Sequence, residues 1–166
     1  TKHRVRAAFR CRYLVHRIHE GKPQGILAGP VVIFGNNTLY FSATEGINGR
    51  ELWKSDGTAN GTLLLKNISS GASSSNPAGL YNAGGILYFS AAGTGTERDL
   101  WKSDGTDAGT VRVKQFNAGA PADASPENFT HFNGYLYFTT AHSENAVFTG
   151  NELWQTDGTS GGTVLI

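Results

Sequence analysis

Nearly the same eight residues occur three times in the chain: Glu51-Leu-Trp-Lys-Ser-Asp-Gly-Thr58, Asp99-Leu-Trp-Lys-Ser-Asp-Gly-Thr106 and Glu152-Leu-Trp-Gln-Thr-Asp-Gly-Thr159. Each copy is followed two residues later by Gly-Thr, so the motif blocks span 51–62, 99–110 and 152–163. Self-similarity at a fixed period of this size marks a protein built from one supersecondary unit used repeatedly. A second shared element, Leu39-Tyr40-Phe41, Leu87-Tyr88-Phe89 and Leu136-Tyr137-Phe138, repeats at spacings of 48 and then 49 residues.

The parts of one unit can be read in order. A short apolar run (Val31-Val32-Ile33-Phe34, Leu80-Tyr81, or Phe129-Thr130-His131-Phe132) precedes a two-residue punctuation at Asn36-Asn37, Gly84-Gly85 or Asn133-Gly134. These residue types tolerate positive φ and predict tight hairpin turns. Then come the Leu-Tyr-Phe strand, a polar loop, the Leu-Trp strand, the Asp-Gly-Thr turn, and a fourth strand in Thr62–Lys66 and Thr110–Lys114. Ser/Asn/Gly/Pro-rich connectors at 69–77 and 117–126 close the units. Four short strands in about 48 residues, with no helical period, give an all-β fold of consecutive blades, most simply those of a β-propeller. A β-trefoil and an open β-solenoid are the alternatives. Apolar residues at successive positions of Leu-Tyr-Phe fit a sheet covered on both faces.

At these residues the chain resembles the ELWxxDGT repeat family of bacterial surface and secreted proteins, over about residue 30 to the end. The resemblance implies an extracellular or cell-surface repeat protein. It supplies no catalytic residue set to carry over.

Residues 1–29 stand outside the repeat. Residues 1–22 hold seven Lys+Arg and one acid, a charge of +6, leaving −5 for the remainder of a chain whose net charge is +1. Val5, Ala7, Phe9, Cys11, Tyr13 and Val15 alternate with an arginine-rich set, which fits a terminal strand or cap; a basic helix is the alternative. The mildly acidic repeat region offers no field to attract nucleic acid. The single cysteine excludes an internal disulfide framework, and no apolar run is long enough for a transmembrane helix. The chain ends at Thr163-Val-Leu-Ile166 as a fourth strand begins, which reads as a window from a longer protein with further repeats.

Candidate chemistry is sparse. Asp56-Gly57-Thr58, Asp104-Gly105-Thr106 and Asp157-Gly158-Thr159 fit Asx-type structural turns, in which a carboxylate accepts downstream amides. One Asp and one Thr per turn fall short of the six to eight oxygens calcium requires, so no metal is expected. Trp53, Trp101 and Trp154 suit packing anchors whose indole N–H meets a backbone acceptor, ahead of sugar-stacking platforms. Glu51, Asp99 and Glu152 fit either an ion pair with a neighbouring strand or a solvated rim. Gly93-Thr-Gly95-Thr lacks the lysine of a phosphate loop, His3, His16 and His19 form no zinc pattern, and no nucleophile elbow or cofactor motif occurs.

Departures from the repeat are therefore the places to look for function. Phe138 to Trp154 spans 16 positions against 12 for Phe89 to Trp101, and the extra residues contain His142, Glu144 and Asn145. These three are the candidate ligand-binding residues, and His142 with Glu144 would be the acid/base pair of an enzyme. The expectation is a non-catalytic scaffold or recognition module binding a glycan, a matrix component or a protein through rim loops. The alternative is part of a propeller-type hydrolase or lyase.

Overall fold

The computed structural model describes residues 31–35, 37–44, 47–93, 98–116, 125–144 and 147–166, with the side chains of 141–149 excepted. The basic segment 1–29 and most of the 117–126 connector lie outside the described residues. Among the described residues, twelve strands form three four-stranded antiparallel sheets, each from contiguous sequence. The first holds β1 (Val32–Phe34), β2 (Thr38–Thr44), β3 (Arg50–Ser55) and β4 (Leu63–Lys66). The second holds β5 (Ala78–Ala83), β6 (Ile86–Ala92), β7 (Arg98–Ser103) and β8 (Val111–Lys114). The third holds β9 (Glu127–Phe132), β10 (Tyr135–Glu144), β11 (Val147–Thr156) and β12 (Val164–Leu165). Each is a simple meander, and no sheet closes on itself.

Turn chemistry sets the registers. Gly84 and Gly85, and Asn133 and Gly134, all have positive φ, so both two-residue hairpins turn in the hand that matches strand twist. The first hairpin differs from the expected two-residue turn at Asn36-Asn37. Its connection has three residues and starts at Gly35, where φ is 58°, with the Asn37 amide donating to the Gly35 carbonyl at 2.6 Å. Asn36 itself lies outside the described residues.

Successive sheets pack face to face. The backbones of adjacent sheets come together at their first strands, β1 with β5 and β5 with β9. Between the first and second sheets, Phe34, Tyr40, Leu52 and Leu65 meet Leu80, Leu87, Phe89 and Trp101. Between the second and third, Ala83, Tyr88, Leu100 and Val113 meet Phe129, Leu136, Phe138 and Trp154, with Phe116 edge-on to Phe138 and Trp154. Both faces of the middle sheet are thus covered, which is why Tyr88 and its neighbours Leu87 and Phe89 are all buried although they point to opposite sides. Leu39, Phe41, Ala43 and Trp53 form a further buried cluster on the other face of the first sheet.

A β-bulge contributes to this packing. Leu52 pairs with Lys66 while Trp53 pairs with Leu64, so Leu65 is the extra residue; Val113 holds the same place in the second sheet. Both bulge residues are buried in the contact with the next sheet.

Candidate functional site

Each Asp-Gly-Thr segment is one hydrogen-bonded turn. Asp56 Oδ1 accepts the Thr58 amide at 2.9 Å and its hydroxyl at 2.8 Å, and the Gly61 amide donates to Thr58 Oγ1 at 2.9 Å. Thr62 Oγ1 then donates to the Thr58 carbonyl at 2.7 Å and, its one proton so used, accepts from Ser55 Oγ at 2.8 Å. The turns at Asp104 and Asp157 repeat every one of these bonds. A Cβ on Gly61, Gly109 or Gly162 would run into the Asp carboxylate, which explains the second glycine of the motif.

Bonds from Thr58 hold the Asp56 carboxyl below its ordinary value, the amide contributing more than the hydroxyl; for Asp104 and Asp157 the threonine hydroxyl is the larger cause. A carboxyl depressed in the folded state contributes stability that is present above its unfolded value of 3.8 and lost as pH falls through the lower folded value. Denaturant midpoints measured down to pH 2 should therefore fall as the pH drops below about 3.8. Asp104→Asn, which keeps an acceptor and removes the titration, should flatten that limb relative to the parent.

The same turns receive the preceding sheet. Lys54 Nζ donates to the Gly105 carbonyl at 3.0 Å and Lys102 Nζ to the Gly158 carbonyl at 2.8 Å. The Tyr40 hydroxyl lies against Gly105 and the Tyr88 hydroxyl against Gly158. Burial raises both tyrosines, with Asp104 and Asp157 respectively adding to the effect. Further out, Lys66 reaches the Asp107 carbonyl at 3.0 Å; Lys114 reaches the Thr163 carbonyl at 2.9 Å and sits over the Trp154 ring. The turn is legible in sequence within a unit, whereas its role between units is not, because the partner residues are a full repeat away.

The carboxylates that open the motif are not on a solvated rim. Glu51 and Asp99 are buried. Glu51 accepts the Ile68 amide at 2.9 Å, the Ser75 amide at 2.9 Å and the Ser75 hydroxyl at 2.5 Å, tying the 67–77 connector back to its own sheet. Burial pushes its pKa up and these hydrogen bonds pull it partly back. Asp99 accepts the Phe116 amide at 3.0 Å and pairs with Arg112 on the adjacent strand β8 at 3.1 Å, so the ion-pair expectation holds for this copy.

Trp53, Trp101 and Trp154 are all buried in the clusters between or beside sheets, and the Trp101 indole donates to the Ala91 carbonyl at 3.2 Å. The Trp53 indole N–H is buried without a hydrogen-bond partner.

Residues 141–144 and 147–150 are strand, not loop. They lengthen β10 and β11 to ten residues each, with His142 opposite Gly150, Glu144 opposite Val147 and a register shift after His142. His142 and Glu144 thus sit on a paired strand end. Asn145 lies outside the described residues.

Polar variation is concentrated instead on the first strands. Ile33, Asn82 and His131 occupy one equivalent place, each paired with the leucine of Leu-Tyr-Phe, and all three are exposed. On β9, Glu127, Asn128, Thr130 and His131 are all exposed. The His131 amide donates to the Tyr81 hydroxyl at 3.1 Å, so β5 and β9 meet at this point, with the His131 ring beside Gly84. Asn128 has a positive φ of 56° at a bulge and donates from Nδ2 to Thr139 Oγ1 at 2.8 Å. His131 was legible only as a polar break in an apolar run. Among the described residues, no group of three or more His, Cys, Asp or Glu gathers as a metal site, and no helix is long and apolar enough to cross a membrane.

No family model and no curated protein matches the chain. Among solved structures it is similar to an α-L-arabinofuranosidase from Clostridium thermocellum, at 18% identity and a TM-score of 0.41 over 85% of this chain. The match covers 51% of the arabinofuranosidase chain, so this chain spans about half the length of that protein. The solved chain is an enzyme, whereas the sequence alone led to the expectation of a non-catalytic module.

Proposed function

We propose that the three sheets are blades of a β-propeller of the hydrolase or lyase class, with the reacting groups on the first, innermost strands. The observation that carries this reading is the contrast between strands. The second and third strands keep Leu-Tyr-Phe and Leu-Trp in every unit, whereas the first strands diverge and expose Asn82, Glu127 and His131. First strands that approach one another would border a central channel in a closed ring, where substrate meets groups from several blades. In this reading His131 and Glu127 act as the general acid/base groups and Asn82 as a hydrogen-bonding group for substrate. Membership of the ELWxxDGT repeat family and an extracellular or cell-surface location belong to the same proposal and rest on the motif alone.

The test is an assay on a panel of neutral and uronate-containing polysaccharides, scoring new reducing ends for hydrolysis and unsaturated uronate for elimination. Turnover by the parent chain should fall roughly 100-fold or more in His131→Ala and in Glu127→Gln, the range for removing a general acid or base, and persist in His142→Ala. Absence of turnover on every substrate, or turnover indifferent to both substitutions, would contradict the reading.

A further inference from the structure

The third sheet exposes the surface that the first two sheets bury against their successors. Leu153 is 47% exposed, whereas Leu52 and Leu100 at the same place are at 0%. Phe132 is 60% exposed where Phe34 is at 5%, and Ile166 is 63% exposed where Val113 is at 4%. Tyr135 adds to this face, and Tyr137 on it is only partly buried, although Tyr40 and Tyr88 are buried. Apolar residues contiguous over one face of a sheet mark an interaction surface. Here two internal interfaces show what such a surface accepts.

A polar group at the same edge points the same way. The carboxylates of Glu51 and Asp99 accept amides from the segment that follows the fourth strand, Ile68 and Phe116. Glu152 is their counterpart, and its Oε2 is buried with no hydrogen-bond partner. A buried carboxylate oxygen without a donor is costly, and a donor from an added chain segment would remove that cost.

We infer that the face formed by Phe132, Tyr135, Tyr137, Leu153 and Ile166 is a docking surface for one further blade of this same repeat. The occupant presents the leucine and phenylalanine of Leu-Tyr-Phe with the tryptophan of Leu-Trp, as Leu87, Phe89 and Trp101 do toward the first sheet. Its Asp-Gly-Thr turn sets a glycine against the Tyr137 hydroxyl, as Gly105 lies against Tyr40 and Gly158 against Tyr88. Gln155 replaces Lys54 and Lys102, so the glycine carbonyl of that turn is met by a neutral amide donor in place of an ammonium group. An amide at the entry to the blade caps Glu152. This inference concerns a different surface from the inner-strand site and does not depend on the proposed activity.

Thiol labelling tests it. In a Cys11→Ser background, Leu153→Cys should react rapidly with a disulfide reagent in the 166-residue chain, and Leu100→Cys slowly. Appending a copy of residues 114–166 after Ile166 supplies a blade in register. Labelling at Leu153→Cys should then slow at least about tenfold, a protection factor of roughly 1.4 kcal/mol. The same extension with the glycine of its Asp-Gly-Thr turn changed to valine should lose most of that protection, while Leu100→Cys stays protected in all forms. Labelling at Leu153→Cys as fast in the extended chain as in the parent, whether or not the extension folds, overturns the inference. So does concentration-dependent protection in the parent with a dimer in sedimentation velocity, because a second copy would then be the occupant.

Discussion

Phe89→Ala should lower the unfolding free energy by about 3–5 kcal/mol, read as a fall in the urea midpoint without change of slope. Phe89 is fully buried, pairs across the strands with Trp101, and stacks on its ring at a centroid distance of 6.5 Å in the contact between the first two sheets. Removing the ring takes its apolar surface from the core and leaves a cavity between two sheets whose backbones are held by their own hydrogen bonds. A domain with ordinary total stability of about 5–15 kcal/mol has little left after such a loss. Phe132→Ala supplies the control. That ring is largely exposed on the third sheet, and its removal should change stability by no more than about 0.5 kcal/mol.

Gly105→Val carries the second large effect, at roughly 3 kcal/mol or more, from two separable causes. Gly105 has a φ of 92°, where a β-branched residue is strained by about 1–3 kcal/mol. In addition, a Cβ there would lie 2.5 Å from the Tyr40 hydroxyl of the preceding sheet. Gly134 isolates the first cause, since its φ is 81° and no atom lies within 4 Å of a Cβ. Gly105→Ala should therefore cost more than Gly134→Ala by about 1–3 kcal/mol, the size of an overpacking penalty. The difference is a direct reading of one sheet's contact with the next, and chemical denaturation of the four proteins measures it.

The fold was legible wherever the signal is local. Gly84-Gly85 and Asn133-Gly134 announce hairpins because positive φ is a property of the residues themselves. Leu-Tyr-Phe reads as a doubly covered strand because three successive apolar residues cannot all face one side. Asp-Gly-Thr reads as a turn because donor, acceptor and permissive backbone lie within three residues. The first hairpin is one residue longer than expected because Gly35 adds a left-handed position ahead of Asn37, whose own φ is 61°.

What escaped depends on residues distant in sequence. Glu51 and Asp99 fitted an ion pair or a solvated rim equally well in sequence, because their main partners are the backbone amides of Ile68, Ser75 and Phe116, which any residue can supply. The roles of Lys54 and Lys102 were not legible in sequence, since the carbonyls they reach lie 51 and 56 residues away. The extra residues before the third motif looked like a loop because length does not distinguish a loop from a longer hairpin; the register through Glu144 and Val147 does. His131 gave no comparable signal, because its place beside Tyr81 arises only when β5 and β9 come together.

Across these residues the repeated motif has two roles, closing a turn within its own sheet and holding the tyrosine and lysine of the sheet before it. The most direct test is a double-mutant cycle on Tyr88 and Gly158, using Tyr88→Phe, Gly158→Ala and the pair, with stability measured by urea denaturation. Tyr88→Phe removes the hydroxyl that a Cβ on residue 158 would meet at 2.6 Å, so the pair should be more stable than the sum of the single changes by at least about 0.5 kcal/mol. Strict additivity of the two changes would contradict the account, because the turn would then be a feature of one sheet alone.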